Sequence, residues 1–165
     1  MGQDAVGTIR PARPEDADRC GDIAVLAWQR VFCAWEKLLG PVIFARHYAG
    51  WEERKRGEVV GFIREHPDKA IVTEVDGQVA GFLTFYLPGP PGLGEIGNNA
   101  VHPDWQGNGI GERQCRRALG IFREMGLTSA TVYTGLDDGH APARAQYRKA
   151  GFRLSTPHIR YFMEL

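Results

Sequence analysis

Apolar positions in the first third of the chain recur at helical spacing. After Pro14, Glu15 and Asp16 supply acidic residues suited to the positive first turn of a helix, and Ile23, Ala27, Val31 and Ala34 or Trp35 then fall on one face as far as Leu39. Gly40-Pro41 predicts a stop, with a second segment carrying Phe44, Tyr48 and Trp51. The run Glu52-Glu53-Arg54-Lys55-Arg56 reads as a solvated helix face, and a third short helix carries Val59, Phe62 and Ile63. Ahead of all this, Ile9 lies in a short strand-like start.

The period then changes from helical to alternating. Residues 70–75 read as a strand, Asp76-Gly77 as a two-residue hairpin turn and residues 79–86 as the partner strand. A connection rich in Pro and Gly fills 87–94, a further strand runs over 95–101, and a helix follows with Ile110, Cys115, Ala118, Leu119, Phe122 and Met125 on its apolar side. Gly126 ends that helix; a strand at 131–134, a short helix at 140–149 and a closing strand pair over 152–163 complete the order. The pattern predicts a mixed α/β fold of α+β type around one sheet, with residues 1–165 forming a single domain.

Composition changes this picture in three ways. The chain holds 20 Lys+Arg against 20 Asp+Glu, so the basic surplus typical of nucleic-acid or anionic-membrane binding is missing. No apolar run approaches the roughly 20 residues of a membrane helix, and the start lacks a basic-then-apolar leader. Cys20, Cys33 and Cys115 form an odd, scattered set with no CxxC pair, which argues for reduced thiols and against a disulfide framework or zinc ribbon. The expectation is a cytoplasmic domain with no metal, no nucleic-acid partner and no membrane partner. Glycine and proline are in excess, 21 and 10 of 165 residues, which points to turns, caps and ligand loops.

The densest glycine cluster is Gln106-Gly107-Asn108-Gly109-Ile110-Gly111, between a predicted strand and a predicted helix. Such a loop lets the backbone approach a ligand closely, and the free N–H groups of the following first turn make an anion site. The Lys-Ser/Thr of a P-loop is absent, since Glu112-Arg113 follows Gly111. A GxGxxG fingerprint fails as well, because the third position falls on Glu112 or Gln114. Taken alone, the loop also allows a tight turn with no ligand.

The stretch Val101-His102-Pro103-Asp104-Trp105-Gln106-Gly107-Asn108-Gly109-Ile110-Gly111 resembles the acetyl-CoA-binding signature of the GNAT superfamily of N-acetyltransferases. A second element, Ala143 to Phe152 with Tyr147 and Gly151-Phe152, is similar to that family's Asn-x-x-Ala-x-x-x-Tyr-x-x-x-Gly-Phe segment. The resemblance implies a central, mostly antiparallel mixed sheet that splays at the acetyl-CoA site, flanked by helices. It assigns the pyrophosphate to backbone N–H groups of Gln106, Gly107, Asn108, Gly109, Ile110 and Gly111, and the pantetheine arm to the strand edge at Ala100 and Val101. Arg113, Arg116 and Arg117 lie where the adenosine 3′-phosphate would find a cation.

For the chemistry, the resemblance implies Glu95 as a general base working through water, the Val101 N–H as an oxyanion donor, and Tyr147 as the group that protonates the departing sulfur. Two departures stand out. His140 occupies the position of the usual pantetheine-contacting asparagine, and Gly135 stands where some members carry a second glutamate. The implied activity is acetyl transfer from acetyl-CoA to a primary amine of a small molecule or peptide, by direct attack in a ternary complex; a homodimer is allowed for. The alternatives are a non-catalytic acyl-CoA-binding module of the same fold and, more remotely, a phosphate-binding regulator.

Overall fold

The computed structural model describes residues 7–89 and 91–164. Its sheet has five strands in the order β1 (Thr8–Pro11), β2 (Ala70–Val75), β3 (Gln78–Tyr86), β4 (Leu93–Val101) and β5 (Ser129–Val132). The first three junctions are antiparallel; β4 and β5 run parallel, joined by the crossover helix α3 (Ile110–Glu124). Helices α1 (Ala17–Tyr48) and α2 (Trp51–Glu65) cover one face, and α3 and α4 (Ala141–Ala150) cover the other. The predicted mixed sheet flanked by helices is what forms.

The strand period of two assigns the core to two layers. Val72 and Phe82 pack with Ile23, Val59 and Ile63 beneath α1 and α2. Their neighbours Ile71 and Leu83 pack with Ile96, Cys115, Ala118 and Phe122 beneath α3. The hairpin turn forms at Asp76-Gly77, both with positive φ (49° and 76°), as a two-residue turn of the primed type requires. At the entrance to α1, Asp16 accepts from the Arg13 N–H (2.8 Å) and from both ends of the Arg10 guanidinium (2.7 and 2.9 Å).

Gly40 does break the first helix, but as a kink. Helical hydrogen bonding resumes through Tyr48, while Gly40 itself sits at φ 75°, ψ 162°. In a straight helix Trp35 and Tyr48 would be about 20 Å apart along the axis; their ring centroids are 5.1 Å apart, so the kink turns the chain back on itself. Phe32 stacks on Trp51 at 4.0 Å in the same aromatic group.

Three local expectations are corrected. The charged run lies in the first turns of α2, a 15-residue helix. Within it Lys55 is not solvated: its side chain is only 13% exposed, hydrogen-bonded to Asn98 Oδ1 (2.6 Å) and lying over the Trp28 ring. The fifth strand forms two residues earlier than expected, because β4 captures it at residues 129–132. No strand forms over 152–163 among the described residues; Leu154, Ile159, Tyr161 and Met163 are exposed there, so the alternating pattern finds no partner strand.

Candidate active site

The site is made by two strands that separate. β4 and β5 pair only through residues 93–96 and 129–132, whereas β4 stays bonded to β3 as far as Val101. A cavity of about 770 Å³ occupies the resulting gap. Gly97, Asn99 and Val101 line one side and Tyr133 and Thr134 the other, with the glycine loop at one end and residues 26–31 of α1 also contributing.

A bulge in β4 sets which side chains reach it. Leu83 pairs with Asn99 and Phe85 with Ile96, so β4 holds one extra residue there. The Thr84 hydroxyl accepts the displaced N–H of Asn98 (2.9 Å). Asn98 turns toward α2 and Lys55, while Asn99 turns toward α3, where its Nδ2 donates to the Gly111 carbonyl and contacts Cys115 Sγ, both at 3.2 Å. With its amide fixed that way, Asn99 Oδ1 is buried without a donor, and so is Thr134 Oγ1 across the gap. Buried polar atoms are normally paired; these two orphans belong to residues on opposite sides of the same cavity.

The glycine loop is built to present backbone. Gly107 (φ 84°) and Gly109 (φ 73°) adopt the left-handed conformation, and Gly109 opens α3. The first-turn N–H groups from Ile110 onward have no intrahelical acceptor, as at any helix start. Gln106 is a brace instead: its N–H donates to the Pro103 carbonyl (3.2 Å) and its Nε2 to the Val101 carbonyl (2.9 Å). Asn108 Nδ2 ties to the Trp105 carbonyl (3.2 Å). Ala100 is buried in the layer under α1. The three arginines have acceptors within the chain: Arg113 binds the Gly7 carbonyl, Arg116 binds Glu112 and the Lys149 carbonyl, and Arg117 binds Glu124.

The proton-handling candidates separate. Tyr147 lines the cavity from α4, packed against Phe152, and burial pushes its hydroxyl well above the ordinary tyrosine range. Glu95 lies on the opposite face of β4 from Ile96, cross-strand from Tyr86, and outside the cavity lining. Burial, and then the charges of Glu58 and Glu95, raise the Tyr86 hydroxyl. His140 lines the cavity at the start of α4, and its Nδ1 is 2.7 Å from Asp137 Oδ2. That same oxygen accepts from Trp35 Nε1 at 3.0 Å. Burial raises the Asp137 carboxyl, but the Trp35 and His140 hydrogen bonds outweigh it, so the group is held below its usual range.

Asn99, Thr134 and Asp137 escaped the sequence reading, and Trp35 entered it as an apolar position on the first helix, not as a partner of Asp137. Only Asp137 carried a local signal, a capping-type residue three positions before His140 at a helix start.

A helix N-terminus beside a gap between two diverging parallel strands is the architecture of the site. Residues 25–152 match the model of the acetyltransferase (GNAT) family. The chain belongs to that family. Its fold superposes on a GNAT family acetyltransferase from Brucella melitensis in complex with acetyl-CoA, with TM-score 0.62 and 27% identity over 89% of this chain and 82% of that one. It also superposes on the PaiA N-acetyltransferase of Thermoplasma acidophilum in complex with coenzyme A, with TM-score 0.68 and 16% identity over 90% of both chains. Among curated proteins, the mycothiol acetyltransferase of Thermobifida fusca is 32% identical over 111 residues, 66% of this chain. The chain spans only 29% of that relative's length.

Proposed function

We propose that the chain is an acetyl-CoA-dependent N-acetyltransferase that moves the acetyl group to a primary amine by direct attack in a ternary complex. The observation that carries this reading is the β4–β5 gap with orphaned Asn99 Oδ1 and Thr134 Oγ1, running from the α3 N-terminus. The residues fit acetyl-CoA. First-turn amides of α3 bind the pyrophosphate, with Gln106 and Asn108 holding the loop in shape. Asn99 and Thr134 bind the amides of the pantetheine arm, with the strand edge at Ala100 and Val101, which also supplies the oxyanion donor.

Acetyl transfer needs a neutral amine, a stabilised oxyanion and a leaving thiolate. Tyr147 serves the last: its raised hydroxyl stays protonated and donates a hydrogen bond to the sulfur. Glu95, off the cavity lining, reaches the amine only through water. A covalent acetyl-cysteine has little support. Cys20 and Cys115 are buried, with burial pushing their thiols up to about 12 and about 11.

Initial rates with acetyl-CoA and a primary amine test the reading. Intersecting double-reciprocal lines, an N-acetyl product by mass spectrometry and retained turnover in Cys33→Ser are expected. Parallel lines, with activity lost in that variant, would overturn direct attack.

A further inference from the structure

Lys55 is a buried ammonium that the proposed transfer does not use. It reaches β4 from α2 and closes a ring of hydrogen bonds there. Its Nζ donates to Asn98 Oδ1 (2.6 Å) and to the Glu58 carboxylate (3.2 Å), while Asn98 Nδ2 donates to Glu58 Oε1 (3.1 Å). The Lys55 side chain is 13% exposed against 52% for Glu58, so Lys55 is the inner member of the pair and Glu58 the solvent side. Lys55 Nζ also lies 4.3 Å from the centre of the Trp28 ring, and Trp28 lines the cavity from α1.

Asn98 is the residue at which β4 changes faces. Gly97 and Asn98 together oppose the single residue Thr84, between the pairs Phe85–Ile96 and Leu83–Asn99. Ile96 lies in the layer under α3. Strict alternation from it would return residues 98 and 100 to that layer and send Asn99 to the other. Ala100 instead packs under α1 and α2, and the Asn99 amide reaches the Gly111 carbonyl on α3. The bulge therefore inverts the strand from Asn98 onward, and the inversion is what turns Asn99 into the lining of the cavity.

The inversion places a polar side chain, Asn98, on the α2 side of the sheet at 5% exposure. A buried amide is tolerated when its groups are paired. Thr84 Oγ1 accepts the Asn98 N–H (2.9 Å), Lys55 donates to the side-chain oxygen and Glu58 accepts from the side-chain nitrogen. The lysine thus touches one wall of the cavity directly, through Trp28, and the other through the bulge.

We propose that Lys55 is a positioning residue for the cofactor: paired with Glu58, it holds the β4 bulge and so keeps Asn99 and the Ala100–Val101 edge turned to the pantetheine arm. The inference rests on the acetyl-CoA reading above. Exchanging a buried charge for an apolar side chain often costs little stability. The effect of the clamp is accordingly read on cofactor affinity rather than on melting alone.

The test is calorimetric titration with coenzyme A of wild type, Lys55→Met, Asn99→Ala and the double variant, with thermal melting alongside. Lys55→Met keeps an apolar stem over the Trp28 ring and removes the donor. It is expected to bind coenzyme A roughly 3- to 10-fold more weakly, the order of one hydrogen bond. Because Lys55 acts through the bulge, that loss is expected to disappear when Asn99 is already truncated, the double variant binding within about 2-fold of Asn99→Ala. Should Lys55→Met fail to fold, Glu58→Ala decides instead at a half-exposed side chain, with weakening and non-additivity of the same kind expected. A folded variant whose affinity stays within about 2-fold of wild type overturns the inference, whatever its Tm, because a role in stability alone moves only the melting. Losses that multiply in the double variant overturn it as well. A wild-type chain that binds no coenzyme A would instead overturn the acetyl-CoA reading itself, and this inference with it.

Discussion

Thr134→Val removes one hydroxyl and keeps the volume of the side chain. Thr134 Oγ1 is buried with no partner and lines the cavity. Without ligand, an unpaired buried hydroxyl is a liability, so its replacement by a methyl group should leave stability unchanged or raise it by up to about 1 kcal/mol. With coenzyme A bound, the same hydroxyl gains a partner in the pantetheine arm. Its removal then loses about 0.5–1.5 kcal/mol, a net hydrogen bond, which corresponds to roughly 2- to 13-fold weaker affinity. Two assays read the opposite signs: urea denaturation of the free protein, and calorimetric titration with coenzyme A. Destabilisation of the free protein by more than about 1 kcal/mol, with affinity unchanged, would refute the reasoning, because the hydroxyl would then have its partner inside the protein.

Tyr147→Phe should slow turnover by up to about 10²-fold without abolishing it, since a thiolate of reference pKa ~8.5 leaves even unprotonated; unchanged steady-state kcat removes Tyr147 from the mechanism. In the native state one cysteine of the three, exposed Cys33, should titrate with a thiol reagent at neutral pH, and all three in denaturant. Rapid native reaction at Cys115, whose thiol burial pushes to about 11, would contradict its placement. Asp16 gives a pH dependence. Burial raises its carboxyl, but the hydrogen bonds and charge of Arg10 and the Arg13 N–H outweigh it and hold it below the ordinary range. Its folded pKa is thus the lower one, so its contribution is present above the unfolded value and lost as pH falls through the folded one. Acid unfolding curves of wild type and Asp16→Asn should converge at low pH and separate above the carboxylate range; parallel curves would contradict this.

What the sequence made legible is what is local. The Asp76-Gly77 turn, the alternation that sends Val72 and Ile71 to opposite layers, and the Gly107 and Gly109 conformations each depend on a few adjacent residues. The features that shape the interior of the cavity depend on distant ones. The β4 bulge follows from register against β3, and Asn99's orientation from a carbonyl on α3. Asp137's anchor, Trp35, is 102 positions away. Lys55 reads as one of five charges on a helix surface until the fold lays Trp28 and Asn98 against it. The 152–163 segment shows the converse: an alternating pattern predicts a strand only if a neighbouring strand edge receives it.

The central claim is that the β4–β5 gap positions an acetyl thioester for attack by an amine. The most direct measurement is thiol release from acetyl-CoA by the purified chain, followed with and without a panel of primary amines. Amine-dependent release, with one free thiol for each N-acetyl product, is the predicted result. Tight coenzyme A binding with no amine-dependent release across the panel would contradict the claim and favour a binding module built on the same fold.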